Sequence, residues 1–169
     1  MREAILLGFC ATFIVLTRAG LRLHLHLPGH AMFFLMFFLL LARGCVPKNG
    51  AATLVGLITG LVSILLGITG SPLILIKFLV PALLVDLGAF VYPGFSVSFP
   101  ACILLGVIAT ASRALSITGL EWLVGIETEI ILQKALLTAL RNSLYGGLGA
   151  ALVPAIIRRL KANNLIGTE

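Results

Sequence analysis

Four ionisable residues interrupt the long apolar stretches of this chain, and they are its first candidates for chemistry. They are Lys77, Asp86, Arg113 and Arg141. A charge near the centre of a bilayer costs at least about 2.5–3.5 kcal/mol, so each needs a partner, a wet cavity or a route to the headgroups. Three cations against a single acid predict a site for an anionic or carboxylate-bearing ligand.

The histidines form a second candidate. They are His24, His26 and His30, with Pro28 and Gly29 between the last two. An extended strand would place His24 and His26 on one face, and the Pro-Gly turn could return His30 to them. Three imidazoles could bind Zn, Ni, Co or Cu, although no carboxylate or thiol lies nearby. A lid loop that contacts a non-metal ligand and plain interfacial structure are the other interpretations, and we predict no metal and no cofactor.

Common sequence motifs of nucleotide binding and hydrolytic catalysis are missing from the sequence. It contains no GxxxxGK[ST], HExxH, GxSxG or GxGxxG pattern, and the carboxylate of Asp86 has no acid or histidine within helical reach. We therefore predict that the protein is not an enzyme. Trp122, in the more polar stretch 119–133, is interpreted either as a headgroup anchor or as a stacking surface for a ring-shaped ligand.

The elements that must position these residues are long apolar segments. Hydrophobic residues make up 60% of the 169 residues and charged residues 11%, against about 45–50% and about 25% in soluble domains. A membrane-spanning helix needs about 20 residues. The pattern predicts one all-α membrane domain, 1–169, with six transmembrane helices at about 4–17, 31–42, 50–70, 72–92, 96–118 and 134–157.

Lysine and arginine residues indicate the orientation. With both termini cytoplasmic, six cations lie at cytoplasmic ends (Arg2, Arg43, Lys48, Arg158, Arg159, Lys161) and three at the opposite ends (Arg18, Arg22, Lys134). This bias favours a multi-pass protein of the cell membrane with its N- and C-termini in the cytoplasm. The net charge of +6 is assigned to such anchors, which meet lipid headgroups, and not to nucleic-acid binding.

In this orientation Lys77, Arg113 and Arg141 all fall in the outer half of the membrane. The predicted substrate-binding residues are Arg141, Asn142, Lys77, Arg113, His30 and Trp122. In the alternative interpretation, Lys77 and Arg113 extend to the headgroups. Only Arg141 is then truly buried, against Asp86 or a backbone carbonyl.

Small residues recur every four positions in two segments. One stripe is Ala4, Gly8 and Thr12, and the other is Asn142, Gly146, Ala150 and Pro154. Such stripes let helix backbones approach closely in lipid. They indicate packing inside the bundle or association with a partner subunit.

Together these features resemble the substrate-binding S components of energy-coupling factor (ECF) transporters, a type of ABC transporter. The resemblance covers the whole chain through its length, its six segments, the Ala4-xxx-Gly8-xxx-Thr12 stripe and the Gly-rich closing segment that ends in Arg158-Arg159. It implies high-affinity capture of a vitamin, a vitamin precursor or a metal ion near the outer face, under a lid formed by the loop after segment one. It also implies docking through Ala4, Gly8 and Thr12 on a transmembrane scaffold subunit, with separate ATP-hydrolysing subunits.

Two other functions remain open on the sequence. A cobalt- or nickel-type uptake component would use His24, His26 and His30 as its metal site. A structural subunit of a larger membrane complex would bind no small ligand, and its cations would pair across a subunit interface.

Overall fold

The regular secondary structure is all helical wherever the chain is described. A computed structural model describes residues 2–24, 30–67, 74–123 and 128–163, which contain six α-helices, one short 3-10 helix and no strand. The helices are α1 (Arg2–His24), α2 (His30–Cys45), α3 (Ala51–Leu65), α4 (Ile74–Val91), α5 (Phe99–Leu123) and α6 (Thr128–Ala162), with the 3-10 helix at Pro93–Ser96. The predicted all-α class is confirmed.

Helix ends differ from the predicted segments in both directions. The helices α1, α5 and α6 extend past them, because polar residues that end an apolar run can continue a helix. The more polar stretch 119–133 is helical as far as Leu123 and again from Thr128. In contrast, α3 is shorter than predicted: it follows Gly50 at φ +91° and ends before Gly67 at φ +61°, a left-handed backbone that favours glycine.

The helix α2 lies at the centre of the bundle. Among the described residues its backbone lies close to all five other helices, whereas the backbone of α1 lies close to α2 and α3. Most of α2 is buried, including Leu35, Met36, Leu39 and Leu40, which are fully enclosed. The other helices surround this apolar core in the order α1, α3, α4, α5 and α6.

The helices α5 and α6 pack closely against each other through glycine and alanine residues. A side chain at Gly146 would overlap Thr110, and one at Gly106 would overlap Ala150. The stripe that begins at Asn142 therefore packs inside the bundle, as one of its two predicted interpretations has it.

The bundle has two chemically different ends. At the first, α1 begins and α2, α4 and α6 finish; Arg43 lies there, and we name it the Arg43 end. At the second, α1, α3 and α5 finish and α2, α4 and α6 begin; we name it the Arg113 end.

The outside of the bundle is strongly apolar. Exposed large side chains occur on α1, α3, α4, α5 and α6: Ile5, Phe9, Phe13, Leu16, Leu54, Leu57, Leu61, Leu65, Leu83, Leu87, Phe90, Leu104, Ile108, Leu115, Leu136, Leu137, Leu140, Leu144, Leu148 and Leu152. By length and composition, two described stretches could cross a bilayer, Glu3–Gly20 and Phe99–Gly119. The apolar helices Ala31–Cys45 and Ala51–Leu65 are shorter, and at 1.5 Å per residue they span about 23 Å.

Candidate functional site

The helix α5 carries a cation, Arg113, into the interior of the Arg113 end. Its side chain is 5% exposed. One terminal nitrogen, Nη1, donates to the thioether sulfur of Met32 at 2.6 Å, and Nε is buried with no hydrogen-bond partner in the described part of the chain. A thioether is a weak acceptor, so the guanidinium has a buried donor left to satisfy.

A second arginine shares the aromatic neighbour of Arg113. The guanidinium carbon of Arg18, on α1, lies 4.7 Å from the ring centroid of Phe78, and that of Arg113 lies 6.0 Å from the same centroid. Phe78, on α4, is fully buried. A cation over an aromatic face is stabilised by about 0.5–2 kcal/mol, less than the several kcal/mol that desolvation of a charge costs. Because Arg113 is buried and lies near a second cation, an anion at its guanidinium would be favourable.

The acids whose side chains the structure describes are both engaged at the opposite end. They are Glu3 and Asp86. Lys48 Nζ lies 2.6 Å from Glu3 Oε2, and Arg43 Nε lies 3.2 Å from Asp86 Oδ1. Neither is therefore a counter-ion for Arg113.

Asp86 holds three helices together at the Arg43 end. Its Oδ2 accepts from the backbone N–H of Thr53 at 2.7 Å and from the Thr53 hydroxyl at 2.6 Å, and Oδ1 accepts from the N–H of Ala52 at 3.3 Å. These donors lie at the start of α3, where backbone N–H groups have no partner within the helix. Arg43 also donates to the carbonyl of Val46 and to Asn49 Oδ1. Asp86 and Arg43 therefore act in structure, joining α2, α3 and α4.

The three predicted cations differ in how far their side chains are buried. Arg113 is buried and Lys77 is half-buried, one residue before Phe78 on α4, whereas Arg141 is exposed on α6 beside Leu137 and Leu144. The alternative in which only Arg141 is truly buried is therefore wrong. Arg141 lies about 100° around the helix from the stripe that packs against α5, so it faces outward.

Asn142 lies at the same end of the bundle as Arg113. It is 8% exposed and precedes Gly146 by one turn on the face of α6 that packs against α5. Because Gly146 faces Thr110 and the two helices run in opposite directions, Asn142 lies about level with Arg113. Its amide is a neutral donor and acceptor at the Arg113 end.

The remaining predicted residues are only partly described. His24 is the last residue of the helix α1. The predicted extended strand, which would place His24 and His26 on one face, is therefore wrong at His24. His30 is the first residue of α2; the side chains of both, and all of His26, Pro28 and Gly29, lie outside the described part of the structure. Among the described side chains, no group of three His, Cys, Asp or Glu residues could hold a metal ion.

Trp122 lies in the last turn of α5 and is 63% exposed. It therefore presents an amphipathic ring at the surface of the Arg113 end. Both predicted interpretations, a headgroup anchor and a stacking surface, are compatible with this position.

The stripe at the start of α1 lies on the outside of the bundle. Ala4 and Thr12 are exposed, and a side chain added at Gly8 would meet no atom within 4 Å. The Thr12 hydroxyl donates to the carbonyl of Gly8 at 2.8 Å, which satisfies it within the helix. The same spacing thus serves internal packing on α6 and an open surface on α1.

Sequence reasoning missed Arg18, Met32 and Phe78 as parts of the site. The sequence assigns Arg18 to the anchors that meet lipid headgroups, whereas the structure places its guanidinium over the ring of Phe78. No local pattern marks Met32 or Phe78, since both are apolar residues in apolar segments. No family model, curated protein or solved structure matches the chain.

Proposed function

We propose that the chain is an integral membrane protein with six membrane helices that captures an anionic small molecule at its Arg113 end. The observation that carries the proposal is Arg113, a buried arginine whose Nε has no hydrogen-bond partner among the described residues and whose Nη1 donates to a thioether. A carboxylate can take two parallel hydrogen bonds from a guanidinium. Ligand binding would replace Met32 as the partner of Arg113, with Arg18 adding a second positive charge.

The surface of the bundle supports the membrane location. Soluble monomers rarely expose contiguous apolar patches larger than a few hundred Å², whereas here large apolar side chains cover the outer faces of five helices. Lipid solvates such faces at no cost. With both termini in the cytoplasm, the Arg113 end is the outer end, and a ligand reaches it from outside.

The proposed type is an ECF-like substrate-capture subunit for a vitamin, a vitamin precursor or a similar molecule. The open stripe of Ala4, Gly8 and Thr12 supports docking on a transmembrane scaffold, because small exposed residues let a second helix backbone approach. In this proposal ATP is hydrolysed by separate subunits, and the chain itself is not an enzyme.

The substitution Gly8→Leu tests capture and docking together. A leucine at Gly8 would lie in open space in the isolated protein, so folding and ligand affinity should stay within about threefold of the wild type. It would separate a scaffold helix from α1, since helix packing in lipid has little hydrophobic drive to offset the bulk. We expect loss of cellular uptake and of co-purification with the scaffold.

Matched glycine variants make that result interpretable. Gly119→Leu places the same side chain at an open, exposed position on α5, and uptake should persist. Gly146→Leu would overlap Thr110 inside the bundle and should impair folding. Normal uptake by Gly8→Leu would contradict docking through α1, and uptake lost equally in Gly8→Leu and Gly119→Leu would contradict it as well.

A further inference from the structure

The Arg43 end contains a cationic cavity that the capture of a small molecule does not use. It has a volume of about 470 Å³, and Arg43, Asn49, Ser96 and Lys161 contribute polar groups to its wall. Asp86 offsets the charge of Arg43, but it does not line the cavity. One net positive charge, that of Lys161, is therefore left in the wall for an anion.

An apolar groove lies beside this cavity on the outer face of α4 and α5. Its volume is about 510 Å³, and its wall includes Leu87, Gly88, Ala101, Leu104 and Ile108. These residues extend away from the Arg43 end, toward the middle of the bundle. The groove is open to the surface that the proposed membrane location gives to lipid.

Phe95 lines both spaces. It belongs to the 3-10 helix Pro93–Ser96 and is buried in the core. Arg158 Nη2 donates to the carbonyl of Val97 at 3.0 Å and so fixes the turn that follows this helix to α6. A cationic compartment and an apolar one thus share Phe95 as a lining residue.

We propose that these two compartments bind one anionic phospholipid, with its phosphate in the cavity and an acyl chain in the groove. Basic pockets between membrane helices on the cytoplasmic side are suited to anionic headgroups. The single net charge in the wall matches the single negative charge of phosphatidylglycerol. The inference rests on the proposed membrane location, with the Arg43 end at the cytoplasmic surface.

Native mass spectrometry of the delipidated full chain tests the site. We expect phosphatidylglycerol to bind with measurably higher affinity than phosphatidylcholine of the same chains. Lys161→Gln should weaken phosphatidylglycerol binding about fivefold, the effect of one lysine at an anionic headgroup. Arg159→Gln removes a neighbouring exposed charge that does not line the cavity and should leave the affinity within about twofold.

A second pair of variants tests the groove. Ala101→Phe should fill the groove and weaken binding of both lipids, whereas Leu83→Phe, on an exposed part of α4 outside it, should not. The proposal is overturned if phosphatidylcholine binds equally well, if Lys161→Gln and Arg159→Gln act alike, or if inorganic phosphate competes as strongly as the lipid. Lys161→Gln should not change the affinity for the small molecule that binds at the Arg113 end. The lipid site and the small-molecule site can therefore be tested independently of each other.

Discussion

Replacement of Asp86 by alanine should lower the free energy of unfolding by about 3–5 kcal/mol, because it leaves a buried charge uncompensated. Arg43 is 7% exposed and has its nearest acid in Asp86. The same change removes three hydrogen bonds at the start of α3. Thermal unfolding of the detergent-purified protein, read by circular dichroism, measures the effect as a lower midpoint.

Three further variants separate charge from general damage. Asp86→Asn keeps an acceptor for Thr53 and should destabilise less. The double variant Arg43→Met with Asp86→Ala should recover part of the loss, since it removes the uncompensated charge but does not restore the acceptor at the start of α3. Glu3→Ala breaks an exposed pair and should cost no more than about 1 kcal/mol. A double variant less stable than Asp86→Ala alone would contradict the role of the pair.

Replacement of Arg113 by methionine should weaken binding of the captured anion by about 2–5 kcal/mol, which is roughly thirtyfold to several thousandfold. The reason is that a desolvated anion would lose its charged partner. Because methionine removes a buried charge that the described structure leaves poorly satisfied, the variant should fold at least as well as the wild type. Isothermal titration of the purified protein measures the affinity, and thermal unfolding verifies the fold.

The control for this effect is another arginine on a neighbouring helix. Arg141→Met removes an exposed charge from α6, and affinity should stay within about threefold. Arg113→Lys should restore only part of the binding, since an ammonium lacks the planar fork of the guanidinium. An equal loss in Arg141→Met and Arg113→Met would indicate a general effect of charge and would contradict a specific site.

Apolar runs predicted the helices well and their ends poorly. Hydrophobicity marks the part of a helix that is buried or faces lipid, but hydrogen bonding within the backbone continues through polar residues. For this reason α1 continues six residues beyond Arg18 to His24, and α6 begins at Thr128, ahead of the predicted segment. The longer α1 in turn made the position of Arg18 unpredictable.

The choice between Arg113 and Arg141 shows the limit of estimates of depth. Depth along a helix is read from sequence, whereas the direction of a side chain depends on which face is packed. One signal was available: Arg141 is adjacent to Asn142, so packing of the Asn142–Gly146–Ala150 stripe turns Arg141 away. The partners of Arg113 could not be predicted, since Met32 is 81 residues away in sequence and is chosen only by tertiary packing.

The two small-residue stripes also show that spacing alone does not predict which helix face is buried. Their spacing is identical, yet Gly146 is enclosed by Thr110 and Gly8 is open. Sequence establishes that a close approach is sterically possible, and only the arrangement of helices tells whether the approaching backbone belongs to this chain. The outward position of Gly8 is the reason for proposing a partner on α1.

Identification of the small molecule that co-purifies with the protein tests the central claim most directly. The wild type and Arg113→Met should be purified in mild detergent, washed without ligand, denatured by heat and extracted for mass spectrometry in both ion modes. We expect a molecule with a carboxylate or another anionic group, close to one per chain from the wild type and strongly reduced from Arg113→Met. A neutral or cationic molecule in that amount, or an anion retained equally by the folded variant, would contradict capture of an anion by Arg113.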